Sequence, residues 1–164
     1  MIDQFDTSTV DRAAGMLAEV TALELGRTTG PSALARRIGP IYTARDLARW
    51  LPPVGAGPLT DEAVRKRAKA RQLAAFLTDD HRWAFPAWQF DRIGGQLVPR
   101  RAVLDVWGRL PIDGFLTDVD LAAWMASRLR SLDDATPAEH AHRYGADDDR
   151  LVRAMARLRR RAAA

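Results

Sequence analysis

Thr43-Ala44-Arg45-Asp46-Leu47-Ala48-Arg49-Trp50-Leu51 and Thr60-Asp61-Glu62-Ala63-Val64-Arg65-Lys66-Arg67-Ala68-Lys69-Ala70-Arg71 are the two stretches on which the fold turns. Each opens on a threonine suited to cap a helix, with acids in the first turn where the helix dipole favours them. Asp46 follows Thr43 at the spacing of a capping box. Leu47 and either Trp50 or Leu51 face inward in the first helix; Ala63, Val64 and Ala68 do so in the second. Pro52-Pro53-Val54-Gly55-Ala56-Gly57-Pro58 between them reads as a turn or loop. After Leu73 the period changes. Ala75-Phe76-Leu77-Thr78 and Trp83-Ala84-Phe85 read as strands joined through Asp79-Asp80-His81-Arg82. Two helices, a turn and a hairpin are the plan of a helix-turn-helix with a wing, although the connection from 52 to 59 is longer than the usual tight turn.

The second helix is the basic one, as a recognition helix should be. Arg65, Lys66, Arg67, Lys69 and Arg71 crowd into seven residues, and Arg82 stands at the tip of the hairpin. Arginine's fork suits guanine edges and phosphates, and a major groove admits such a helix. Thr60, as its cap, completes the expected set of DNA contacts: Thr60, Arg65, Lys66, Arg67, Lys69, Arg71 and Arg82. The plainer alternative is a basic helix that is merely solvated.

Working outward, Ser8 or Thr7 caps a helix to about Leu25 with a broad apolar stripe, and a short helix covers 32–38. Towards the other end, 86–91 is extended and Ile93-Gly94-Gly95-Gln96 is a turn. Val98–Leu110 reads as a helix with Pro99 at its start. Another begins at Leu116 or Asp118 and runs through TDVDLAAWMASRL, and one more covers 137–143 behind Thr136-Pro137. A last amphipathic helix covers 147–161, with Asp147–Asp149 at one end and Arg159–Arg161 at the other. Dipole matching accounts for both of its charge runs. The expected fold is mainly α: a helical bundle with a helix-turn-helix and a small β-hairpin wing. The expected organisation is a helical segment over 1–40 with a role in dimerisation, a DNA-binding part over 41–91 and a helical module over 92–164.

The 164 residues carry 25 Lys+Arg, 21 Asp+Glu and no cysteine, with a pI near 10.3. Net charge is −1 over 1–40, +5 over 41–110, −5 over 111–150 and +5 over 151–164, which invites more than one kind of partner. Without cysteine there are no disulfides, thiolate chemistry or Cys-based zinc sites. His140 and His142 are two apart, on different faces of a helix, so they make no metal pair. Phosphate-binding loops, dinucleotide glycine motifs and nucleophile elbows are all missing from the sequence. The expectation is therefore no enzyme, no cofactor and no metal. No apolar run is long enough to span a bilayer, and MIDQFDTSTVDR is no signal peptide, so no membrane and a cytoplasmic location are expected.

One further pattern stands in the second half. Arg82-Trp83-Ala84-Phe85-Pro86-Ala87-Trp88-Gln89-Phe90-Asp91 resembles the "(Y/F)PxxQF" segment of the Xre/MbcA/ParS-type antitoxins. Ala123-Trp124-Met125, then Leu132-Asp133-Asp134-Ala135-Thr136-Pro137-Ala138-Glu139, then Tyr144-Gly145-Ala146-Asp147, is similar to their C-terminal toxin-binding module. The resemblance covers about 82–160, with Asp134 where that family has glycine. Residues 43–85 are similar to an excisionase-like winged helix. The resemblance implies an antitoxin that binds a RES-type, NAD-consuming toxin with its C-terminal module, dimerises and represses its own operon. It implies toxin contacts from Trp124, Arg128, Thr136, Pro137, Tyr144, Arg153, Arg157 and Arg160. The alternative is a stand-alone excisionase-like regulator. In either case the expected partners are double-stranded operator DNA and a second copy of the chain, because helix-turn-helix proteins usually read two half-sites.

Overall fold

A computed structural model describes residues 33–162 apart from 54, 56 and 113. The helix expected over 8–25 lies outside the described residues.

The described chain is mainly helical, with a small antiparallel sheet. Helix α1 is Ala33–Ile38, strand β1 is Ile41–Tyr42, and helices α2 and α3 are Ala44–Trp50 and Asp61–Lys69. Strands β2 (Phe76–Leu77) and β3 (Trp83–Pro86) follow, then a 3-10 turn at Ala87–Gln89 and strands β4 (Phe90–Ile93) and β5 (Gln96–Pro99). Helices α4 (Arg101–Arg109), α5 (Asp118–Met125), α6 (Pro137–Tyr144) and α7 (Asp149–Ala162) complete it. The sheet order is β1-β3-β2, and β4 pairs with β5 as a separate hairpin.

Local chemistry sets these boundaries. Three helices begin with a complete capping box: Thr43 with Asp46, Thr117 with Asp120 and Thr136 with Glu139. In each, the threonine side chain accepts from the third backbone N–H while the acid accepts from the threonine's own N–H, so two orphan donors are satisfied at once. Gly145, at φ +93°, ends α6 in a conformation that side chains resist.

The sheet has two buried faces, and its alternation assigns each to a different core. Ile41, Phe76 and Ala84 join Ile38 and the helices α4 to α7, where Trp107, Leu121, Met125, Leu132 and Leu151 are fully buried. Tyr42, Trp83 and Phe85 point the other way, into a core with Leu47, Leu51, Val64, Leu73 and Leu97. Ala74 and Ala75 split in the same manner. Leu104 of α4 packs on both cores.

Besides the 3-10 turn at Ala87–Gln89, inside a stretch expected to be extended, two elements differ from expectation. Val98 and Pro99 belong to β5, and the helix expected from Val98 starts at Arg101. Gly94 and Gly95 both take positive φ, which gives the two-residue turn that joins strands with the proper twist. Pro99 lies opposite Phe90 at the last paired position, beyond which Arg100 N–H bonds Gln89 O at 2.8 Å. The other is α5, which stops at Met125 short of Leu129. Leu129 is instead bridged to Ala135, closing a tight loop in which Asp133 and Asp134 both take left-handed φ, +56° and +59°.

Candidate functional site

Thr60 Oγ1 accepts from Ala63 N–H at 3.1 Å and starts α3. Val64 and Ala68 fix that helix on the core, so Arg65, Lys66 and Lys69 are exposed while Arg67 is half-buried. The β2–β3 loop brings Arg82 to the same region. Arg45, Arg65, Lys69, His81 and Arg82 line one open cleft, with Asp46 and Asp61 among them. Four of these cations come from three separate segments. Arg65 is 4.0 Å from Asp61 and more than half exposed, so little holds it. Arg82 is braced by Asp80, Nε to Oδ2 at 2.7 Å, and the Thr78 hydroxyl, with Arg82, holds the Asp80 carboxyl below its usual pKa. His81 carries φ +58°.

Arg71 stands apart from the other expected DNA contacts. Its φ is +56°, and its side chain turns inward. Nη1 bonds Asp118 Oδ1 at 2.9 Å, Nη2 bonds Trp107 O at 3.0 Å, and the guanidinium lies 4.7 Å above the Trp107 ring. With 17% of its side chain exposed, it is a strut between the two halves of the molecule.

The residues that the resemblance nominates separate into four groups. Thr136 and Pro137 are used in starting α6, and Pro137 is buried. Trp124, half-buried, shares a cleft with Arg128, Arg36, Arg37 and Leu116. Arg128 Nη1 also bonds Asp134 O at 2.9 Å. Arg153, Arg157 and Arg160 are exposed along α7 at the spacing of one helix face, opposite the buried Leu151, Ala154 and Met155. Tyr144 is 60% exposed, with its ring 4.7 Å from that of His140.

A polar network ties this module together. Asp148 caps α7: its carboxylate accepts from Arg150 N–H at 3.0 Å and from Leu151 N–H at 3.3 Å. The same oxygen meets His140 Nε2 at 2.8 Å. The bond from His140, helped by these amides, holds the Asp148 carboxyl below its usual pKa. Arg150 forms a two-pronged pair with Asp133 at 2.6 and 2.7 Å and also bonds Ser131 O; that pair lowers the Asp133 pKa and raises that of Arg150. Arg109 bonds Asp147 at 2.6 Å, while its carbonyl accepts from Arg159 Nη2 at 2.6 Å. Asp147, just before α7, and Arg159, near its end, are therefore both tied to Arg109 of α4.

Gln89, the glutamine of the antitoxin-like segment, is completely buried. Its Oε1 accepts from Ala74 N–H at 2.8 Å, and its Nε2 donates to Ala74 O at 2.7 Å and Pro86 O at 3.0 Å. It copies a strand's hydrogen bonds and shapes the fold. Sequence reasoning did not single out Gln89, Arg45, Arg36 or Arg37. The basic character of the last three was visible; their places in clefts depend on chain packing.

Among the described residues, no three His, Asp or Glu stand together as a metal would need, and no helix is long and apolar enough to cross a membrane. No family model matches the chain, and no curated protein or solved structure matches it.

Proposed function

We propose that this protein is an antitoxin that neutralises a toxin by direct binding and represses its own operon as a homodimer on double-stranded DNA. The observation that carries the DNA half is the convergence of Arg45, Arg65, Lys69 and Arg82 from α2, α3 and the β2–β3 loop around one cleft. A helix-turn-helix with a wing requires that arrangement: the second helix enters the groove and the loop beside it reaches a flanking phosphate. The pairing of β1 with β3, which brackets the two helices, supports the same reading.

The toxin half rests on the resemblance over 82–160, to which the fold adds two open surfaces in the second half. One is the Trp124 cleft with its three arginines, and the other is the arginine face of α7. Half-buried Trp and exposed Arg are residues that protein interfaces favour. In this reading the protein is a cytoplasmic stoichiometric inhibitor without cofactor or turnover.

The test is a pull-down of the tagged protein from cells carrying its own locus, followed by mass spectrometry. A near-stoichiometric partner encoded close by, toxic when expressed alone, is the expected result. DNA with no such partner would move the assignment to a stand-alone regulator. For the DNA half, Arg45, Arg65, Lys66, Lys69 and Arg82 give a log–log salt slope of affinity of about −4 to −5 per protomer. A flat salt response would remove DNA from the account.

A further inference from the structure

The 164 residues hold 23 arginines and two lysines, Lys66 and Lys69. Both lysines are exposed on α3, three residues apart and so side by side on the helix. Neither makes a hydrogen bond or ion pair with a described residue, whereas Arg71, Arg82, Arg100, Arg109, Arg128 and Arg150 all do. Lys69 lines the basic cleft beside Arg65 and Arg82. Lysine and arginine both carry the positive charge that phosphate attracts, but only lysine loses a proton readily enough to act as a nucleophile.

We propose that Lys66 and Lys69 form a paired acylation site that turns DNA binding down and leaves the partner-binding half untouched. The inference rests on the DNA reading above. The donor class is an acyl phosphate or acyl thioester. The free amine Nζ attacks the acyl carbon and a C–N bond forms. The bond to phosphate or sulfur breaks, that group leaves with its electron pair, and the surplus ammonium proton passes to solvent. Each event removes one positive charge from the face of α3. The second half offers no lysine to the same donor, because Arg128, Arg153, Arg157 and Arg160 keep their charge.

The test uses acetyl phosphate as the probe on the full-length protein. Peptide mass mapping locates the acetyl groups, and a salt titration on a duplex from the region upstream of its own gene gives the affinity. The expected result is acetylation of both lysines, a salt slope reduced by about two per protomer, and binding about thirtyfold weaker per protomer near 0.15 M salt. The K66R/K69R double variant keeps both charges, and its affinity before and after acetyl phosphate is expected to be the same; a fall on treatment overturns the proposal. Unmodified lysines, or acetylated lysines with unchanged affinity, overturn the proposal. An untreated protein without any DNA binding overturns the DNA reading and this switch with it. The peptide map separates that case, since the lysines would still be acetylated.

Discussion

Gln89 and His140 are the two buried polar side chains among the described residues, and they lie in regions that hold themselves together differently. Around Gln89 every contact is neutral: one amide makes three hydrogen bonds to backbone groups. Around His140 most contacts carry charge. Its Nε2 meets Asp148, Arg150 clasps Asp133, and its Nδ1 is buried without a hydrogen-bond partner. A neutral clasp works at any pH and salt, whereas a network of carboxylates and guanidiniums is tuned by both. The buried clasp at Gln89 thus makes no demand on the exposed cations of α2 and α3. The region of α6 and α7 is held instead by ion pairs that reach its surface.

The strongest way to break this contrast is Gln89→Leu. It leaves Ala74 N–H, Ala74 O and Pro86 O without partners, and a loss of about 2–4 kcal/mol is expected in urea melts. A loss below about 1 kcal/mol would mean that the clasp is dispensable. Arg71→Ala comes next. It removes two hydrogen bonds and a cation–π contact between the halves, for about 2 kcal/mol of stability, with the DNA salt slope unchanged. Arg65→Ala is the mirror case, with little change in stability and a slope smaller by about one. A DNA defect in a folded Arg71 variant would return that residue to the contact surface.

Acid should separate the regions further. The folded-state pKa values of Asp133 and Asp148 are depressed, so the stability they contribute is complete above the unfolded carboxylate value, about 3.9. It is lost as pH falls from there through the folded values. Hydrogen exchange followed down from pH 5 should loosen α6, α7 and the 129–135 loop before α2 and α3. Simultaneous loosening of both regions would show that the charge network is not the weak point. Asp133→Asn should flatten the pH dependence.

The smallest effect is at Asp134. It takes left-handed φ, and its backbone alone is engaged: the carbonyl accepts from Arg128 and the N–H donates to Leu129 O at 3.1 Å. Asp134→Gly should relieve strain and gain about 0.5 kcal/mol after the extra backbone entropy is counted. Asp133→Gly should instead destabilise, because the pair with Arg150 goes with the side chain. Thermal melts of the two variants should move in opposite directions.

Elements governed by neighbouring residues were readable from the chain. Thr43 with Asp46, Thr60, and Thr136-Pro137 with Glu139 announce their helices because a cap is a matter of three residues. The β2–β3 hairpin showed in its change of period. The β4–β5 hairpin was legible only as a turn, since Asp91, Arg92 and Gln96 lack the branched or aromatic character of strands. Of the expected DNA contacts on α3, Arg65, Lys66 and Lys69 reach solvent and Arg67 is half-buried, whereas Arg71 is diverted by Trp107 and Asp118, which lie 36 and 47 residues further on. No local pattern carries such a contact. The role of Gln89 was hidden for the same reason, because its main partner is 15 residues away.

The sheet whose faces belong to different cores has a consequence for how this protein can change over time. Cutting the chain after β3 would leave Ile41, Phe76 and Ala84 as an uncovered apolar face on one fragment, and the α4–α7 helices without their floor on the other. The halves are therefore not exchangeable cassettes: a new C-terminal module would have to arrive with side chains already fitted to this sheet. For the same reason a ligand that tightens one half draws on the folding equilibrium of both, so anything bound to either half should slow the unfolding of the other.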